Sequence, residues 1–318
     1  MSLSPSKLPP LVVIAGPTAV GKTSLAIALA GRFHGEIVNA DSRSFYRGMD
    51  IGTAKPDATD RETIPHHLVD ILEPIDEMSL SQFQDLAFEA ISDIHARHRL
   101  PLLVGGTAQY LNAVVENWRI PQVAPDNEFR SRMEQRVANE GVAPLMEELR
   151  AIDPESADRT GPNPRRVIRA LEVFHVTGQQ MSRLMGKGEP RYEALLFELW
   201  NPRDILHERI AKRVDDMFEH GFVDEVRSLI GAGVDPSLPA FSSIGYREVV
   251  ALLNGETSLD ETKSAIRHAS NRLVRHQQTW FRKNPAMNRI DMTDPDALAE
   301  ICKKINSRFR PNLGSSCE

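Results

Sequence analysis

Apolar positions in the first third of the chain fall into two alternating patterns. Leu11 to Ala15 is an unbroken apolar run; a Gly-rich turn follows, and Leu25, Leu29 and Phe33 then recur four residues apart. A short unbroken run suits a buried strand and a recurrence of four suits a helix, so the segment predicts strand, loop, then helix over Thr23–Phe33. Glu36 to Ala40 predicts a second strand that ends at Asp41. Ser79 and Gln82 carry the capping-box spacing ahead of Phe83, Leu86, Ala87, Ala90, Ile91 and Ile94, which fall on one helical face. Leu100 to Val104 then returns as a buried strand and runs into Gly105, Gly106 and Thr107. Strands and helices in this alternation predict a parallel sheet with right-handed crossovers.

The pattern changes at Pro121. From there to Pro190 the chain reads as charged helices broken by Pro125, Pro154, Gly161, Pro162, Pro164, Gly178, Gly186 and Gly188, without a strand signal. Strand-like apolarity resumes over Tyr192–Trp200. A long helix follows over Arg203–His220, closed by Gly221, with Leu206, Ile210, Val214, Met217 and Phe218 on one side. The expected fold class is α/β, a parallel sheet core with a helical insertion domain. The expected domains are a disordered lead at 1–10, a core at 11–120 and 191–290, the insertion at 121–190 and a C-terminal tail at 291–318.

Composition narrows the class. Of 318 residues 41% are hydrophobic and 26% charged, which fits a soluble globular protein. No apolar run approaches the ~20 residues that cross a bilayer, and no apolar h-region precedes Leu11, so neither a signal peptide nor a membrane partner is expected. Cys302 and Cys317 both lie near the C-terminus, which points to a reducing, cytoplasmic setting. A monomer is expected. Acids outnumber Lys plus Arg by 44 to 38, so any RNA contact has to be local.

Gly16, Pro17, Thr18, Ala19, Val20, Gly21, Lys22 and Thr23, with Ser24 behind them, form a complete G-x-x-x-x-G-K-T between a predicted strand and helix. Glycines let successive amides converge on one anion, Lys22 reaches the outer phosphates, and the Thr23 hydroxyl can hold Mg²⁺. The core is therefore expected to be P-loop NTPase-like. Phosphoryl transfer, nucleotide hydrolysis and diphosphate departure all need such a cradle. N-K-x-D is absent, and Asp158 to Gly161 follows no strand, which disfavours a GTPase. No carboxylate follows the Val104 strand. Asp41, after the second strand, becomes the candidate for acid/base work, with a capping role for Ser42 onward as its alternative. His66 and His67, adjacent on an extended segment, point to opposite faces and make a poor metal site. Lys263 to Arg289 holds seven cations and no acid, a footprint suited to an RNA backbone.

Further blocks accompany the loop: Asn39 to Arg43, Tyr46 to Pro56, Pro65 to Asp70, Gly105 to Thr107, Asn163 to Val173, Ile244 to Glu248 and Gln277 to Arg282. In these blocks and their order the chain resembles the tRNA dimethylallyltransferase family. The resemblance implies transfer of a dimethylallyl group from dimethylallyl diphosphate to the exocyclic amine of the adenosine 3′-adjacent to the anticodon. It implies that the loop Gly16 to Ser24 holds the leaving diphosphate, that Asp41 is the general base, and that Thr107 bonds the target base. It also puts a diphosphate-binding arginine in the Arg209–Arg213 helix, with Arg213 favoured. The expected contacts to the tRNA anticodon stem-loop are Asp41, Ser42, Arg43, Ser44, Thr107, Arg130, Arg165, Arg166, Arg169, Gly245, Tyr246, Arg247, Arg275, Gln277, Trp280 and Arg282, the insertion acting as a clamp. Ser44, Ala108, Gln109 and His276 depart from the common pattern. Two other activities share the loop, a small-molecule kinase and an isopentenyltransferase that acts on free adenine nucleotides.

Overall fold

The computed structural model describes residues 8–309 and divides into two units, one that runs to Val115 and resumes at Arg191, and a second at Glu116–Pro190. Residues 1–7 of the expected lead, and Cys317, lie outside the described residues. In the first unit the chain forms β1 (Pro10–Ala15), α1 (Lys22–Arg32), β2 (Gly35–Asn39), α2 (Ala58–Thr63), β3 (His66–His67), α3 (Leu80–Ala96), β4 (Leu100–Gly105) and α4 (Ala108–Val115). The second unit holds β5 (Trp118–Arg119), α5 (Asn127–Glu140), α6 (Ala143–Ile152), α7 (Pro154–Thr160), α8 (Pro164–Thr177), α9 (Met181–Leu184) and β6 (Gly186–Lys187). The first unit then resumes with β7 (Glu193–Trp200), α10 (Arg203–Glu219), α11 (Phe222–Gly231), α12 (Tyr246–Leu253), α13 (Leu259–Phe281), β8 (Asn288–Asp291) and α14 (Ala297–Phe309).

The sheet order is β3-β2-β4-β1-β7-β8, and every pairing is parallel. Successive residues of a strand face opposite sides, which explains the unbroken apolar run of β1. Leu11, Val13 and Ala15 pack with Phe83, Ala87, Ile91 and Ile94 of α3 and with Leu111 and Val114 of α4. Val12 and Ile14 join Leu25 and Leu29 of α1, Leu206 and Ile210 of α10, and Ile301 and Ile305 of α14. The capping box that opens α3 forms as its spacing predicts: Ser79 Oγ accepts from Gln82 N at 3.1 Å, and Gln82 Oε1 accepts from Ser79 N at 2.9 Å.

Three boundaries differ from expectation. Pro10, expected within the lead, opens β1, and the Pro9 carbonyl accepts a hydrogen bond from Glu193 N. Residues 291–309 are no tail: Asp291 ends β8, and Ala297, Ile301, Ile305 and Phe309 recur every fourth residue on the buried face of α14. The second unit begins at Glu116 because β5 pairs antiparallel with β6, strands of two residues each and too short to leave a pattern in the sequence.

The second unit has its own core around Phe129, Leu145, Leu149, Val167, Ile168 and Leu171. Two buried carboxylates, Asp153 and Glu172, brace it. Asp153 caps α7 through Ser156 N and accepts from Ser182 N; burial works to raise its pKa, but these hydrogen bonds outweigh that and leave it at about 2. Among the described residues no helix is long and apolar enough to cross a membrane.

Candidate functional site

Parallel strands bring their carboxyl ends to one edge of the sheet, where loops can converge. Gly16 follows β1, Asp41 lies two residues past β2, and Gly106 and Thr107 follow β4. The glycine loop turns into α1 through Gly21, whose φ of 105° is one an L side chain rarely adopts. Lys22 Nζ donates to the carbonyls of Gly16 at 3.0 Å and Pro17 at 2.8 Å. Burial lowers its pKa to about 8, with Asp41 opposing the shift and Arg213 adding to it. From α10, Arg213 donates to Thr18 Oγ1 at 3.1 Å and Arg209 to the Val20 carbonyl at 3.3 Å, so both candidate arginines reach the loop. Burial also lowers the Arg213 pKa, against the pull of Asp41, yet a guanidinium keeps its charge.

Asp41 Oδ1 accepts from Arg43 N at 3.1 Å, so the carboxylate does tie down a turn, although no helix follows it. Its other side faces open space. Two adjoining cavities, of roughly 300 and 350 Å³, share Thr18, Lys22, Asp41, Thr53 and Arg213 in their walls. The first contains the glycine loop with Thr23 and Ser24, the buried Ser44, and the apolar Ile37, Val69 and Val104. The second contains Ser42, Arg43, Thr107 and Gln277, with Ile210, Met217, Ile244 and Ile266 as its apolar side.

Sequence reasoning passed over Glu225. Its carboxylate accepts from the backbone N–H groups of Asp50, Ile51 and Gly52 and from the Tyr246 hydroxyl at 2.7 Å, and so pins the Tyr46–Pro56 loop that carries Thr53 into both cavities. Only the long-range fold reveals this.

Several expected RNA contacts are committed elsewhere. Tyr246 is fully buried against Phe222 and Phe241, and Gly245 caps α12 where a Cβ would press on the Phe222 ring. The apolar spacing of Tyr246, Val249, Val250 and Leu253 is the signal that would have placed Tyr246 inside. Arg130 and Arg169 both bind the buried Glu172, at 2.7 and 2.5 Å, so they hold the second unit together. Gln277 spends its amide on backbone groups, Thr18 N and the Gly106 carbonyl, each at 3.0 Å. Two of the seven cations over Lys263–Arg289, Lys263 and Arg267, pair with Asp215 of α10, and Arg289 lies over the Trp200 ring.

The remaining candidates are open to solvent. Arg165 and Arg166 are exposed at the start of α8, with no ion-pair partner among the described residues, and Arg247, Arg275 and Arg282 are exposed on the first unit. Trp280 is 44% exposed while its neighbour Phe281 is buried. His67 donates to the Glu36 carboxylate at 2.6 Å, and no cluster of three metal-binding side chains occurs among the described residues.

The IPP transferase family model matches residues 44–284. The chain is 46% identical to the tRNA dimethylallyltransferase of Thermomicrobium roseum, over 96% of this chain and 93% of that one. It is 48% identical to the one from Chloroflexus aggregans, over 92% and 99%. Among solved structures it is similar to the full-length tRNA isopentenylpyrophosphate transferase of Bacillus halodurans, with a TM-score of 0.71, 40% identity, and 95% and 97% of the two chains covered. A eukaryotic dimethylallyltransferase acting on tRNA matches with a TM-score of 0.77 at 25% identity, over 95% of this chain and 79% of that one.

Proposed function

The chain belongs to the IPP transferase family, the tRNA dimethylallyltransferases, and from that premise we propose how its site works. Dimethylallyl diphosphate occupies the first cavity with its diphosphate in the Gly16–Ser24 cradle. The adenosine 3′-adjacent to the anticodon enters the second, its base bonded by Thr107. The observation that carries this reading is the shared wall, which puts Asp41, Lys22 and Arg213 where the two cavities join.

The exocyclic nitrogen attacks C1 of the donor. As the N–C bond forms, the C–O bond to diphosphate breaks, its electrons leave with the diphosphate, and the amine proton passes to Asp41. Loop amides, Lys22 and Arg213 stabilise the charge that develops on the leaving group. Mg²⁺ fits beside them: Thr23, exposed in the first turn of α1, lines the first cavity, and Mg²⁺ favours one protein oxygen plus phosphate oxygens and water. Bound there, it would neutralise further negative charge on the diphosphate.

Arg165 and Arg166 in the second unit, and Arg247, Arg275, Arg282 and Trp280 in the first, supply the exposed cationic and aromatic groups for the stem-loop backbone and its splayed bases. In this reading the protein works in the cytoplasm as a monomer. The test is incubation with labelled dimethylallyl diphosphate and either an anticodon stem-loop or AMP, followed by nucleoside analysis. Label on the stem-loop adenosine is expected. Label confined to AMP, or ATP turnover without transfer, would overturn the reading in favour of a free-nucleotide enzyme or a kinase.

A further inference from the structure

We propose that Gln277 is a positioning residue: its amide, held by backbone groups of both loops, fixes the separation between the diphosphate cradle and the base-binding turn. Its Oε1 accepts from Thr18 N at 3.0 Å, and its Nε2 donates to the Gly106 carbonyl at 3.0 Å. The first partner belongs to the glycine loop, and the second immediately precedes Thr107. One amide thus spans two loops that leave different strands of the sheet.

Three features make this span exacting. A Cβ on Gly106 would collide with Gln277 Nε2, so the side chain sits in a slot that only glycine leaves. Thr18, whose N–H meets Gln277, is also the residue whose hydroxyl accepts from Arg213 at 3.1 Å, so a shift of the loop there moves the arginine too. The two backbone partners are a donor and an acceptor, and a neutral amide of this length offers the matching pair without any change of protonation. Pulling the cradle away from Thr107 would separate the leaving group from the attacking amine, and displacements on the order of 1 Å cost roughly 10²-fold in rate.

The proposal rests on the transfer reading above. Gln277→Glu tests it with almost no change of shape. The carboxylate still accepts from Thr18 N but turns a lone pair toward the Gly106 carbonyl; once protonated, its O–H can donate there again. At pH 8 the single-turnover transfer rate should fall by about tenfold to a hundredfold, while stem-loop affinity and the thermal midpoint stay close to the parent's. As the pH is lowered to 5.5, the ratio of variant to parent rate should climb back. Lys22, Asp41, Arg43 and Arg213, which share the cavity with Gln277, are common to both proteins, so the ratio compares the two against the same neighbours.

Weakened stem-loop binding with an unchanged single-turnover rate would return Gln277 to the RNA contacts. A ratio that stays flat with pH, or a lowered thermal midpoint that accounts for the loss, would make its role structural only. Either result overturns the proposal. If the parent transfers no label at all, the transfer reading fails separately, and the donor affinities of the two proteins still report whether Gln277 holds the cradle.

Discussion

Asp41 in the first unit and Glu172 in the second are carboxylates with opposite surroundings. Glu172 is fully buried and accepts from Arg130, Arg169 and Asp126 N; burial pushes its pKa up, but the two guanidinium groups and the backbone amide hold it below the usual range. Asp41 accepts from Arg43 N and otherwise fronts two cavities. A carboxylate whose lone pairs are all engaged stabilises a fold and has no capacity left for a proton. One that is held by a single turn and faces open space can take one.

The sharpest way to break this comparison is Asp41→Asn. It keeps size and the turn but cannot accept the proton, so turnover should fall by roughly 10²-fold or more, with stem-loop affinity near the parent's. Single-turnover kinetics with labelled donor reads it, and near-parental rates would deny Asp41 the base role.

The mirror experiment is Glu172→Ala, which leaves Arg130 and Arg169 without their partner. Removing one member of a buried ion cluster costs about 3–5 kcal/mol, but these arginines are each about one-third exposed, so about 2 kcal/mol is expected in chemical denaturation. Donor affinity should not change. The sign with pH follows from the lowered pKa: the contribution is complete above the usual carboxylate range and is lost as the pH falls through the folded-state value.

Lys22 sharpens the contrast from the cationic side. Its ammonium is charged below about 8 and neutral above, so kcat/KM for the donor should decline as the pH rises through about 8. Lys22→Ala should lower donor affinity and remove that limb, and inorganic pyrophosphate should compete with the donor in the parent. A donor profile flat to pH 9 would contradict the leaving-group role.

The smallest effect belongs to Arg165 and Arg166, which no buried acid claims. Replacing both with alanine should weaken stem-loop binding and reduce the salt slope by somewhat under about one unit per lost phosphate contact, with stability unchanged. Affinity measured at several salt concentrations checks it. Arg169 is unsuited to this test, because its loss would undo Glu172.

The same contrast governs what the sequence reveals. The glycine loop, the capping box at Ser79, the strand ends and the helix over Arg203–Glu219 are encoded within a few residues each, so spacing alone finds them. Asp41 is legible because it lies just past the end of a strand. Glu172, Glu225, Asp215 and Gln277 are different: each takes its meaning from partners on other elements, and a charge or an amide at helical spacing looks the same whether it faces water or a distant backbone. Hence nothing local in the sequence reveals that Arg130 and Arg169 share Glu172 between them.

The two-residue pairing of β5 with β6 bears on how the chain assembles. With Gly188 N donating to the Asn117 carbonyl, it draws the entry and exit of the second unit together. β1 must pair with β7 across the whole of that intervening chain. Left unfolded, the second unit alone would add a loop that costs about 2 kcal/mol more in chain entropy to close than one of a few residues. A second unit that folds first and joins its own ends leaves β7 topologically next door to α4, so replacement of Glu116–Pro190 by a short turn should leave the rate of sheet closure largely intact.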